Sequence, residues 1–547
     1  MKRIFSKLAP SALALVLALG ASSCANDLEL SIEDPQTNTT FDANALMAKI
    51  YGNLILTGVD GPAGNADLSK YDNEGNTSFY RRIFEANELP TDEVIWTWQN
   101  DPGIPEFTNI SWNSSHTATD QMYYRMMFNI TLCNSFLDNT AGTSEASVLV
   151  NRAEVRFMRA LHYAYFCDLF GKAPFKTTVD EQLPVEKNRK EVYDFVIAEL
   201  KDITGEGTGN EVLPNAGAAE YGRADKGAAW MLLSRMYLNA QVYTGTADWA
   251  NAVAYADKVI NSGAYALNTT ALNGYTAYEQ LFMGDNGENA NARKEIIFPI
   301  RCDGLKTQSY GGSTYLIAST HGNGTPDAGL PASAWTCNRA REAGVLKFFS
   351  SLDAVPVGAK TTVKQVQTAA GDDRALFYSG ADVDGNNQRT ATTEKKTTFT
   401  SGLSIVKWTN LHATGSTPSH GTFTDGDIPL FRLAEAYLTR AEANYRKGSN
   451  PSTVLADLNL IRSRAHATIL TAVDEQTLLD EWSREFYFEG RRRSDLVRFG
   501  KFTSSSYVWD WKGGVYTGTG VRSHYNVYPI PYDELTNNVN MKQNPGY

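Results

Sequence analysis

The stretch EWSREFYFEGRRRSDLVRFGK, residues 481–501, constrains the fold more than any other part of the chain. Helix formers dominate it, proline is absent, and glycine occurs only at Gly490 and Gly500, so it is expected to run as a helix. On such a helix Glu481, Glu485 and Glu489, four apart, form one stripe. Arg484, Phe488, Arg491, Asp495 and Arg498 form a second. Trp482, Phe486, Leu496 and Phe499 add apolar contacts. Charge and aromatic surface on one helix suit a crowded, partly polar interior, and Gly490 lets another backbone come close. The stripes read as structural ion pairing rather than as chemistry. The chain closes on YPIPYDELTNNVNMKQNPGY. There Pro529, Pro531 and Pro545 forbid a continuous helix, and Tyr528, Tyr532 and Tyr547 are placed to pin an extended tail to the body.

The other end is an export signal. Lys2, Arg3 and Lys7 precede an apolar run from Leu8 to Gly20 that is too short to span a bilayer, and Ala21, Ser22 and Ser23 lead to Cys24. Residues 1–23 therefore read as a lipoprotein signal peptide and Cys24 as the lipidated first residue, although Ala21 and not leucine stands three places before it. An ordinary cysteine beside a cleavage site is the alternative. Acyl chains contribute about 0.8 kcal/mol per buried methylene, so several on one residue make a firm anchor. Residues 24–40 are polar and read as a flexible tether. No later stretch is apolar enough to span a membrane, so the mature chain is expected to be anchored rather than inserted.

Helices are expected at residues 41–56, 123–137, 145–170 and 188–203, the third ended by Gly171 and kept from resuming by Pro174. Trp230, Leu233, Ser234 and Tyr237 fit the tetratricopeptide spacing, with Trp249 and Ala252 opening a partner helix. The spacing recurs at Leu430, Leu433, Ala434 and Tyr437, followed by a helix over 454–465. These helix pairs are separated by insertions instead of standing in tandem, and their apolar faces read as core. The fold class is mainly α.

Between residues 301 and 424 the helical period fades into a Gly-, Thr-, Ser- and Asn-rich segment with short strands expected at 296–300 and 403–408. A loop region this long inside a compact protein is usually functional. It contains Asp372, Asp373 and Arg374, read as an ion pair holding a turn, and the aromatics Tyr310, Tyr315 and Trp335. Residues 93–112 are also irregular. Trp96 and Trp98, two apart, share a face if the segment is a strand, with Asn100 and Arg82 close in sequence. Flat rings against the C–H faces of a pyranose, flanked by amide and guanidinium groups for its hydroxyls, are what sugar recognition requires. Trp96, Trp98, Asn100, Arg82, Tyr315 and Trp335 are thus the candidate ligand-binding residues. Each ring alone also fits packing between loops and helices.

Chemistry-bearing motifs are missing. There is no P-loop, no G-x-G-x-x-G with an acidic partner, no H-E-x-x-H and no G-x-S-x-G. Cys133, Cys167, Cys302 and Cys337 form no CxxC pair, and no His or Cys cluster has zinc spacing. No catalytic residue, metal or cofactor is expected. The net charge of −11, more negative once Lys2, Arg3 and Lys7 leave with the leader, argues against nucleic acid as a partner.

The motifs EFYFEGRRRSDLVRFG, AEAYLTRAEA and QNPGY, supported by GRADKGAAWMLLSRMYL, LFGKAP, GDDRALFY and IVKW, resemble the SusD/RagB family over nearly the whole mature chain. The resemblance implies an α-rich SusD-like body with tetratricopeptide-like helix pairs and a loop-rich ligand face. The N-terminal helical region would cover residues 41–290. The C-terminal region would cover 291–547, with the irregular insertion at 301–424. It further implies an outer-membrane lipoprotein facing the cell exterior, with Asp27 and Glu29 after the anchor favouring surface export. Such a protein captures an oligosaccharide, without breaking bonds, for a SusC-like TonB-dependent transporter. In the family the glycan site is built by loops from the two irregular regions. A peptide ligand, a surface glycosidase and a ligand-free helical scaffold are the alternatives. The last requires Trp96 and Trp98 to be buried.

Overall fold

The helices expected at 123–137, 145–170 and 188–203 form, with their ends shifted by a few residues. The computed structural model describes residues 41–547 except positions 60, 63–65, 72–74, 323, 333 and 382–387. Cys24, the signal and the tether lie outside the described residues. Residues from Ala45 onward make one compact unit. The helices Thr117–Asn139 and Ala146–Tyr165 pack together. The second widens into a π turn over Phe166–Phe170 and stops at Gly171, whose φ of 67° suits glycine. Pro174 then sits in a two-stranded ribbon, Lys172–Phe175 against Val185–Asn188.

The separated repeat-like segments meet in space. Helix Lys226–Leu238 packs on Trp249–Asn261, which packs on Leu433–Arg446, which packs on Pro451–Arg464. Asp225, Asp248 and Asn450 cap the starts of three of them through side-chain oxygens, each worth about 1 kcal/mol. Buried Ser234 and Ala434 occupy the small-residue positions. Tyr237 stacks on Tyr255 at 5.4 Å, and Arg235 pairs with Glu435 at 2.7 Å, joining the first helix to the third. One expectation fails here. Leu430 lies on the strand Ile428–Arg432, paired with Ile296–Ile300, so the second repeat-like unit has no helix at its first position.

The organising stretch is not one helix. Glu475–Phe486 and Arg492–Arg498 are helical, and between them the backbone turns left-handed at Phe488 (φ 60°) and Gly490 (φ 77°). Outside side chains take over the backbone there. Glu88 accepts from the N–H groups of Gly490 (2.7 Å) and Arg491 (3.2 Å). Lys407 donates to the Tyr487 carbonyl (2.7 Å) and Trp408 to that of Phe488 (3.1 Å). The close approach expected at Gly490 is present, since a Cβ there would lie 3.3 Å from Phe84 Cα.

The acids still converge. Glu485 is fully buried and pairs with Arg432 (2.6 Å), Arg374 (3.1 Å) and Arg464. Glu481 takes Arg374 (2.8 Å) and Arg462 (2.6 Å), and Glu489 takes Lys407 (2.6 Å) and Arg432 (2.7 Å). Arg374 also closes on Asp372 at 2.7 Å, the expected pair. This interior cluster ties the C-terminal helices to the irregular middle of the chain.

Two of the three tail tyrosines act as pins. Tyr528 donates to the Ala86 carbonyl (2.8 Å) and Tyr547 to that of Val527 (2.6 Å), while Trp112 donates to Tyr547 Oη (2.8 Å). Tyr532 instead is 61% exposed. The four other cysteines are buried free thiols.

Candidate functional site

The two irregular regions are stitched together by a four-stranded sheet in the order Val94–Trp96, Asn338–Ala340, Leu403–Ile405, Phe377–Tyr378. Trp96 pairs with Asn338, and Thr97 N–H continues the ladder to the Cys337 carbonyl at 2.7 Å. The segment that carries Trp335 therefore runs beside the one that carries Trp96. The strand ends at Trp96, so strand alternation does not place Trp98; a turn does. Asp101 N–H bonds back to the Trp98 carbonyl (3.1 Å), and Gln99 anchors its amide on the Trp96 carbonyl (2.6 Å) and Thr108 (3.0 Å). The two indoles still meet, edge to face at 6.0 Å.

An open recess of about 520 Å³ lies here, lined by Pro62, Asn76, Arg81, Trp96, Trp98, Asp101, Tyr310 and Trp335. Trp98 presents 39% of its surface, whereas Trp96 is 3% exposed. Tyr310 and Trp335 lie 5.4 Å apart at 39° and form the facing aromatic pair. Tyr315 is fully buried beneath. It stacks on Trp96 at 6.0 Å and supports the Arg81 guanidinium, 4.4 Å above its ring. Tyr310 is positioned by a turn that crosses the start of the Phe79–Glu88 helix. Ser78 accepts from Arg81 N–H at 3.2 Å and donates to the Gly311 carbonyl at 2.8 Å. Gly311 is needed there, because a Cβ would fall 2.4 Å from the Ile55 carbonyl oxygen.

The polar groups are fixed as well. Burial disfavours the Arg81 charge, but Glu85, 2.9 Å from its Nε, together with Tyr315 outweighs burial and raises the pKa. Burial raises the carboxyl pKa of Asp101 against the opposing hydrogen bond from Trp96 Nε1 at 3.1 Å. Asn76 Oδ1 is buried without a hydrogen-bond partner. Stackable faces, a cation and a carboxylate thus converge on one open recess that Asn76 also lines, an arrangement suited to a polyhydroxylated ligand.

Of the candidate residues, Trp96, Trp98 and Trp335 line this recess and Tyr315 underlies it. Asn100 lines an adjoining recess of about 560 Å³. Arg82 lines neither and is buried against Glu85. Its neighbour Arg81 faces the cavity instead. Arg81, Asp101, Asn76 and Tyr310 complete the set. Sequence offered a partial signal for Tyr310, grouped with Tyr315 and Trp335, and none that separates Arg81 from Arg82.

Comparison with known proteins places the chain. It is 49% identical over its full length, and 99% of the relative's, to the starch-binding protein SusD of Bacteroides thetaiotaomicron. The chain belongs to the SusD family. The SusD family model matches residues 353–547. A SusD-like protein P25 of Formosa agariphila is 25% identical across 75% of each chain. Among solved structures, a SusD homologue from Bacteroides thetaiotaomicron superposes with a TM-score of 0.68 at 18% identity, covering 92% of this chain and 96% of that one. The surface glycan-binding protein A of Bacteroides fluxus gives 0.64 at 19% identity, covering 92% and 99%. These share the mainly α SusD fold. Among the described residues of this SusD family member, no helix is long and apolar enough to cross a membrane.

Proposed function

We propose that this SusD family protein is a non-catalytic surface lipoprotein that binds a starch-type glucan in the Trp98–Tyr310–Trp335 recess. It then delivers the glucan to a TonB-dependent outer-membrane transporter. The observation that carries the reading is the recess itself, in which aromatic faces on two sides are flanked by Arg81, Asp101 and Asn76. Rings supply the apolar contact for sugar C–H faces, and the polar groups supply donors and acceptors for hydroxyls. The name of the 49% identical relative supports starch as the glycan. That relative is named a binding protein, which supports capture without bond cleavage. The exposure of Trp98 speaks against a bare scaffold.

Titration calorimetry with a panel of soluble glycans and peptides tests this. Maltooligosaccharides are expected to bind and Trp98→Ala to weaken them at least about tenfold. Binding of peptides alone, or of no glycan, overturns the reading. The anchor and the transporter are tested separately, by fractionating cells that express Cys24→Ala and by co-purification from the outer membrane. A wild-type protein found free of that membrane refutes this part.

A further inference from the structure

Trp98 stands between two recesses. One is the aromatic recess described above. The other, of about 560 Å³, is lined by Thr97, Trp98, Gln99, Asn100, Asp101 and Thr397. Trp98 and Asp101 belong to both. We propose, on the basis of the glucan reading above, that the second recess is a distal subsite for the same ligand. A long chain crosses the exposed Trp98 ring and continues over Asn100 and Thr397, whereas a short one ends in the first recess.

Several observations carry this. The second recess is built rather than incidental. Its far wall, the 396–398 loop, is held by the buried Arg339, which donates to the Thr398 carbonyl (2.6 Å) and the Lys396 carbonyl (2.8 Å). Thr398 N–H closes the same loop onto the Lys395 carbonyl at 3.0 Å. Its near wall is held by the two hydrogen bonds of the Gln99 amide. A site fixed in advance spends little on ordering when it binds. The wall is polar as well, since Thr97, Gln99, Asn100, Asp101 and Thr397 all line it. Asn100 and Thr397 are exposed and add an amide and a hydroxyl. Finally, the Trp98 ring is braced by two others in edge contacts, Trp96 at 6.0 Å and Phe399 at 6.1 Å. A ring so held offers one rigid platform to units on either side of it. The ligand that fits is a linear polymer long enough to span both recesses, with hydroxyls that meet amide and hydroxyl groups in the second.

The test compares maltotriose with maltoheptaose on the full mature protein by titration calorimetry. Wild type is expected to bind the longer chain about tenfold more tightly per site, the yield of one or two additional polar contacts. Thr397→Trp and Thr397→Ala, at an exposed loop position, are expected to abolish or reduce that gain and leave the Kd for maltotriose unchanged. The inference is overturned if wild type shows no gain with length, if both variants keep the gain, or if they weaken the two ligands equally. If wild type binds neither sugar, the glucan reading itself has failed. If maltotriose binds without a length effect, that reading stands and the distal subsite does not.

Discussion

Replacing Glu485 by Gln tests the interior ion cluster with almost no change in shape. Glu485 is fully buried among Arg374, Arg432 and Arg464, with the Arg432 guanidinium 2.6 Å from Oε1 and also donating to the Glu485 carbonyl at 2.7 Å. Burial alone would raise the carboxyl pKa. Arg464, Arg432 and Arg374 outweigh burial and hold it down to about 2 against an ordinary 4.5. At about 1.4 kcal/mol per pH unit, that difference corresponds to roughly 3 kcal/mol of stability at neutral pH. The figure agrees with the 3–5 kcal/mol typical of breaking a buried pair from one side. Gln keeps one acceptor and loses the charge, leaving three guanidinium groups facing an amide. Because the folded carboxyl titrates below the unfolded one, its contribution is complete above about pH 4.5 and is lost as pH falls toward 2. Urea denaturation of wild type and Glu485→Gln is expected to show a gap of about 3 kcal/mol at pH 7 that narrows steadily below pH 4.5. A gap under about 0.5 kcal/mol at pH 7, or one that stays constant in acid, refutes the idea that this carboxylate anchors the cluster.

Four other substitutions have outcomes set by the same structure. Gly490→Ala forces a side chain into a left-handed turn with Phe84 Cα at 3.3 Å and should cost about 1–3 kcal/mol in thermal or urea unfolding; an unchanged midpoint contradicts the turn. Arg81→Met should lower glucan affinity about tenfold or more in calorimetry, since a charged hydrogen-bond donor leaves the recess. Arg82→Met should act on stability and leave affinity nearly unchanged, and the reverse order would mean the wrong arginine faces the ligand. Trp112→Phe removes the donor to Tyr547 Oη, so the C-terminal tail should become the first segment to gain hydrogen exchange, with glucan binding untouched.

Much of this protein was determined by sequence alone, because local signals act over a few residues. Asp225 and Asn450 start helices, Gly171 stops one, and the spacing around Ser234 predicts close helix packing. The motif set that marks the SusD family is likewise local in sequence. The two irregular regions were recognisable by their lost periodicity and their aromatic residues. Tertiary structure decided what local propensity could not. Residues 481–501 favour helix throughout, yet Glu88, Lys407 and Trp408, distant in sequence, capture the backbone at Tyr487, Phe488 and Gly490 and break it. Arg81 and Arg82 are equivalent as helix residues; only the tertiary packing, with Tyr315 under Arg81, selects which of them lines the recess. Trp98 reaches the recess through a turn, and the strand pairing of Trp96 with Asn338 brings Trp335 opposite it. Propensity and periodicity are properties of neighbours along the chain, whereas a binding surface is a property of neighbours in space, and only the folded packing relates the two.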